Sequence, residues 1–278
     1  MAYVNNSINN TADQNFNCTA NINAASATFG NGSYASVGSN TIPFQGVASN
    51  AGNTVFGLIE NTDNTNSGSN AGLVIEVGGT SAGEARVGFV AGASEWNIGL
   101  SNAASQAFQI SNGISLGSTN VITATTAGAV TMPLQPAFLA YRSAVINAQT
   151  GDGTIVTLPC NTVVFDQASN YNNGTFIFTA PVTGKYRFTA NVQLSGIAAG
   201  HTSLIFMIIT TGRAYGPGVY LNPAPIAVSG SVAFNHNCLA NMTAGQTAYA
   251  TIQVSGSTKT VAIQGSAPNT FFSGELVC

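Results

Sequence analysis

From Tyr171 to Leu194 the chain reads YNNGTFIFTAPVTGKYRFTANVQL, a pattern with no helical period in it. Tyr186, Phe188, Ala190, Val192 and Leu194 alternate with Lys185, Arg187, Thr189, Asn191 and Gln193. That is the period of two expected for a strand with one buried face. Phe176 and Phe178 occupy a second short strand ahead of it, and Ala180, Pro181 and Gly184 supply the turn between the two.

The rest of residues 136–278 continues in the same manner. Pro136 opens a strand over Ala137–Val145, and others are expected at Ile155–Leu158, Val163–Phe165, Ser203–Thr210, Ser231–Met242, Thr247–Val254, Thr260–Gln264 and Phe271–Val277. No window carries a helical stripe. Eight to ten short antiparallel strands are what a two-sheet jelly roll requires, so the fold class is all-β. Residues 212–225, which include Gly216, Pro217 and Gly218, are expected to form a long irregular loop.

Gly174, Phe176, Phe178, Pro181, Gly184, Tyr186 and Phe188, with the terminal run Phe272-Ser273-Gly274-Glu275-Leu276, resemble the globular head of complement C1q, a TNF-like jelly roll. The resemblance implies a homotrimer that binds other molecules and does not catalyse. A second resemblance covers the preceding residues. The runs W-N-I-G-L-S-N (96–102), F-Q-I-S-N-G (108–113), L-G-S-T-N (116–120) and T-T-A-G-A-V-T-M-P (125–133) look like a module of phage fibre and tailspike-type proteins. Three regions are therefore expected: an extended N-terminal attachment segment over 1–45, a β-rich neck over 46–135, and the jelly-roll head over 136–278. Neck strands are expected at Thr54–Glu60, Gly72–Val77, Arg86–Val90, Trp96–Leu100, Ala107–Ile110, Val121–Thr125 and Ala129–Met132.

Composition narrows the function. Charged residues make up 5% of the chain and the net charge is −3, so there is no electrostatic footprint for nucleic acid or for an anionic membrane. With 45% hydrophobic residues the chain is too apolar for disorder. No stretch approaches the roughly 20 apolar residues of a membrane-spanning helix. The opening MAYVNNSINNTADQ has neither a basic nor an apolar signal region, which predicts no export signal. A hydroxyl- and amide-rich surface protein without an export signal fits a virion component, assembled in the host cytoplasm and released by lysis. Its expected partners are other virion structural proteins through the N-terminus and a cell-surface glycan or protein through the head. The alternatives are a subunit of a self-polymerising extracellular filament and, third, a glycan-active enzyme.

Candidate sites are few. Arg213, Tyr215 and Tyr220 combine a planar donor with aromatic faces and are the candidate ligand-binding residues, with packing against a neighbouring subunit as the alternative. His236 shares strand parity with Phe234 and Cys238, so His236 and Phe234 face either the core or a trimer axis. A buried, hydrogen-bonded imidazole is the plainer reading; a ring of three His236 holding a metal or anion is the sharper one. His201, in a turn, is expected to be exposed. Asp152 in T-G-D-G (150–153) is a weak calcium candidate or simply a tight turn, and no other cofactor is expected. Cys18, Cys160, Cys238 and Cys278 have no metal-binding spacing and are expected to be free, mostly buried thiols. No set of convergent groups points to an enzyme.

Overall fold

The computed structural model describes residues 62, 64, 65, 67, 68, 70–78 and 83–277. The chain divides into two units, Met1–Gly72 and Leu73–Cys278. The expected attachment segment 1–45, the expected strand Thr54–Glu60, Cys18 and Cys278 lie outside the described residues. Gly72–Val77 carries no strand; Leu73 and Val74 sit exposed side by side instead of alternating between two faces.

Residues 85–131 form a five-stranded antiparallel meander of β1 (Ala85–Ala91), β2 (Ser94–Ser101), β3 (Ala107–Asn112), β4 (Asn120–Ala124) and β5 (Val130–Thr131). Gly92, at φ +59°, opens the two-residue turn between β1 and β2, a backbone region that glycine enters without a Cβ clash. The register pairs Phe89 with Trp96, Ile98 with Ile110 and Leu100 with Phe108, so large apolar side chains line up across one face.

The C-terminal sandwich, the region expected to be the head, begins with β6 (Ala137–Tyr141) and continues through β7 (Ile146–Thr150), β8 (Ile155–Thr157), β9 (Thr162–Gln167), β10 (Tyr171–Asn172) and β11 (Ile177–Thr179). Then come β12 (Gly184–Ser195), β13 (Ser203–Thr210), β14 (Arg213–Leu221), β15 (Val232–Met242), β16 (Thr247–Ser255), β17 (Val261–Ile263) and β18 (Phe271–Leu276). Pairing is nested. β6 pairs with β18, β11 with β16, β12 with β15, and β13 with β14. Folding a long antiparallel hairpin back on itself in this way produces a jelly roll, here with β10-β11-β16-β13-β14 in one sheet and β9, β6, β18, β12 and β15 in the larger one.

The two sheets close on a single apolar core. Tyr186, Phe188, Ala190, Val192 and Leu194 of β12 are all fully buried, and Leu204, Phe206 and Ile208 of β13 face them from the opposite sheet. Six rings, of Phe138, Tyr171, Phe178, Tyr186, Phe188 and Phe272, form a continuous cluster in which Phe138 stacks on Tyr171 with centroids 4.7 Å apart. The two tyrosines satisfy their hydroxyls at its edges: Tyr171 donates to the Cys160 carbonyl at 2.9 Å and Tyr186 to the Val182 carbonyl at 2.7 Å.

The expected loop over 212–225 is a strand for most of its length. β14 runs antiparallel to β13 at the edge of its sheet, and the register skips between Phe206 and Ile208. That skip absorbs Gly216, Pro217 and Gly218, residues that a central strand would not tolerate but an edge strand does.

Candidate functional site

The outward face of the larger sheet is built from the residues that alternate with the core. One row across it reads Phe165, Leu139, Ser273, Thr189 and Asn237; the next reads Tyr141, Phe271, Asn191 and Asn235. Arg187 on β12 and Glu275 on β18 stand opposite each other on it and pair at 3.3 Å, with Lys185 a further positive charge on the same face. A shallow depression lies here, bordered by Leu139, Phe165, Arg187, Gly274 and Glu275. A Cβ on Gly274 would lie 2.5 Å from the Phe188 ring and 2.7 Å from the Phe138 ring, so the aromatic core beneath dictates the glycine.

The other surface of interest is the open edge formed by β14 and β15. Arg213 lies with its guanidinium carbon 5.7 Å from the centre of the Tyr215 ring, a cation–π contact. Its backbone is held in the tight turn from β13 by the Thr210 hydroxyl, which accepts from the Arg213 amide at 3.1 Å and donates to the Arg213 carbonyl at 2.9 Å. Tyr215 is half-buried against the core. Tyr220 is exposed, and it pairs with Ile205 whereas Tyr215 pairs with Ile208, so the two tyrosines occupy opposite faces of the sheet. Arg213 and Tyr215 therefore come together and Tyr220 stands apart.

His236 and Phe234 lie on the inward side of β15, half-buried. The His236 Nε2–H donates to the Tyr215 carbonyl at 3.0 Å, and its ring meets Phe206 edge-on with centroids 6.4 Å apart. This hydrogen bond ties the edge strands of the two sheets together.

His201 is not exposed but fully buried. Its Nδ1 accepts from the Ala198 amide at 2.9 Å, which leaves the proton on Nε2, where it is donated to the Thr258 carbonyl at 3.1 Å. The side chain folds back beneath its own turn and fastens it to the loop before β17. Nothing in an A-G-H-T sequence distinguishes that arrangement from an exposed turn, because the partners are main-chain groups.

Asp152 accepts from the Thr154 amide at 3.0 Å, and hydrogen bonding to the Thr154 side chain first, and to this amide second, lowers its carboxyl pKa from the usual 3.8. Its carboxylate is thus engaged in a turn, and among the described residues no group of three or more His, Cys, Asp or Glu could hold a metal ion. Cys160 and Cys238 are free thiols, the first buried and the second half-buried. Burial pushes the Cys160 thiol up to about 12 and the Cys238 thiol up to about 11. An activated nucleophile needs the opposite shift.

No family model matches the chain, and no curated protein matches it. Among solved structures it is similar to the globular domain of zebrafish complement 1qA protein, at 16% identity and a TM-score of 0.35, over 52% of this chain and 98% of that one. It is also similar to murine APRIL in a crystal structure at pH 8.5, at 12% identity and a TM-score of 0.35, over 51% of this chain and 99% of that one.

Proposed function

We propose that this chain is a homotrimeric structural protein of a virion, a fibre or decoration whose jelly-roll head binds cell-surface glycan or protein ligands through repeated weak contacts. The observation that carries this reading is the outward face of the larger head sheet. Phe165, Leu139, Tyr141 and Phe271 are interspersed there with Asn, Thr and Ser, and its one ion pair is internal. A face that is partly apolar and rich in amides, with Arg187 and Glu275 already paired to each other, is suited to burial against copies of itself. Three copies present three identical outer edges, and linked weak contacts gain avidity by orders of magnitude without any new contact. Arg213 and Tyr215, at the open edge, are the residues we assign to the ligand.

Light scattering on the full-length protein and on a variant lacking residues 1–45 tests the assembly. Three chains in both, which is three times 28.2 kDa for the full-length protein and correspondingly less for the shortened one, supports a fibre whose N-terminus docks elsewhere. Open-ended polymers that vanish on truncation would instead favour the extracellular filament, and a stable monomer would overturn both. Binding of the trimer to immobilised host polysaccharide, weakened in Arg213→Ala, tests the ligand role. Release of oligosaccharide in the same assay would make the protein an enzyme.

A further inference from the structure

The neck meander has its polarity inside out. On one face, Asn97, Ser101, Gln109 and Ser111 are buried under the chain's own loop between β3 and β4. Asn97 donates through Nδ2 to the Gly113 carbonyl at 2.6 Å, Ser111 bonds the Asn120 side chain, and Asn120 in turn accepts from the Gly117 amide at 2.9 Å. Glu84 accepts from the Leu116 amide at 3.0 Å, which closes the loop over the polar side.

The opposite face is apolar and open. Val87, Phe89, Trp96, Leu100, Phe108 and Val130 share it, with exposures from 37% for Val87 to 63% for Val130. Half-buried Ile98, Ile110 and Ile122 form the row between them. A sheet that shelters its amides and hydroxyls and turns its isoleucines and aromatics to solvent contradicts the rule that the apolar face is the buried one.

We infer that this face is an assembly surface in its own right, and that its occupant is the same face of two further copies of this chain, packed about one axis. Two observations select a copy over a foreign partner. Among the described residues the face carries no charged side chain, so it offers none of the electrostatic complementarity by which one protein selects another. It is one side of a β-sheet, and sheet faces pack on each other at about 10 Å with their side chains interleaved. The six exposed side chains leave on the order of 600 Å2 accessible per chain, at the top of what a monomer ordinarily shows. Three copies would then bury on the order of 1,800 Å2 in all, about 600 Å2 for each of three pairwise contacts, a supplement to the burial that the head trimer provides.

The inference rests on the trimeric reading and extends it to a second interface, independent of the head. Trp96 is the chain's single tryptophan and lies on this face, 39% exposed in one copy, so its fluorescence reports on the neck alone. The experiment is acrylamide quenching of full-length protein, with the mass measured in parallel. A three-chain particle with Trp96 shielded supports the inference. Phe108→Lys should then raise quenching several-fold, although Phe108 lies four residues along β3 from Asn112, the partner of Trp96. Val90→Lys, on the opposite face of β1, should leave it unchanged. If Phe108→Lys does not fold, the wild-type result still decides. A three-chain particle whose Trp96 quenches freely would overturn the neck interface and leave the head trimer standing. A one-chain particle with Trp96 shielded would overturn the inference by showing that another part of the chain covers the face. A one-chain particle with Trp96 exposed would overturn the trimeric reading as well.

Discussion

Gly274 is a glycine because Phe188 and Phe138 lie directly beneath it, closer than any Cβ could approach. Gly274→Ala is expected to destabilise the head by about 1–3 kcal/mol, the usual cost of overpacking a filled core, read as a lowered denaturation midpoint. Cys160 makes a different kind of statement. Its thiol titrates near 9.0 when unfolded and is pushed up to about 12 in the folded head by burial. Above pH 9 the unfolded chain releases this proton and the folded one keeps it, so stability falls as pH rises from 9 toward 12. Tyr171, also raised by burial, adds to the same slope. Thermal melts between pH 8 and 11 should show that decline, and Cys160→Ala should make it shallower. An unchanged slope would assign the effect to other groups. Under native conditions at pH 8, iodoacetamide followed by peptide mapping should leave Cys160 unlabelled.

At the scale of elements, β12 is the organising strand. It is bonded along one edge to β15 and along the other to β18 and β17, with one whole face in the core. Its amides from Tyr186 to Val192 should exchange with deuterium slowest in the molecule, and those of the β14 edge strand at least about a hundredfold faster, as local opening at an edge requires. Much of this was legible beforehand. The alternation from Tyr186 to Leu194 is strict, and each of those positions is buried as the pattern demands. β7 was not legible, because Ala148 adopts φ +50° and the strand has no alternation of burial to read. β14 was hidden by Gly216, Pro217 and Gly218, which look like breakers until an edge and a register skip accommodate them. The site divided on the same physical line. Arg213 and Tyr215 are near neighbours in sequence and meet on one strand, so composition alone put them together. The bond from His236 to the Tyr215 carbonyl joins strands of different sheets, and the clamp of His201 on Thr258 joins distant loops; both use main-chain acceptors that no sequence pattern displays.

For the whole molecule, nesting places the first and last strands of the head side by side. β18 lies between β6 and β12 and supplies Phe272 to the ring cluster. Removal of residues 271–278 is expected to prevent the head from folding, visible as loss of near-ultraviolet dichroism and of soluble protein. A soluble, cooperatively melting truncation would show that the remaining sheet closes without it. The same topology makes most contacts distant in sequence, so refolding of the intact chain should take milliseconds to seconds or longer.

Among the described residues the ion pairs are two, Arg86 with Glu84 at 3.8 Å and Arg187 with Glu275 at 3.3 Å, and the second is well exposed. Dissolved ions therefore have almost nothing to screen. A sandwich held by ring packing and main-chain bonding is expected to keep the same form in rainwater as in brine, with the same circular dichroism spectrum in both.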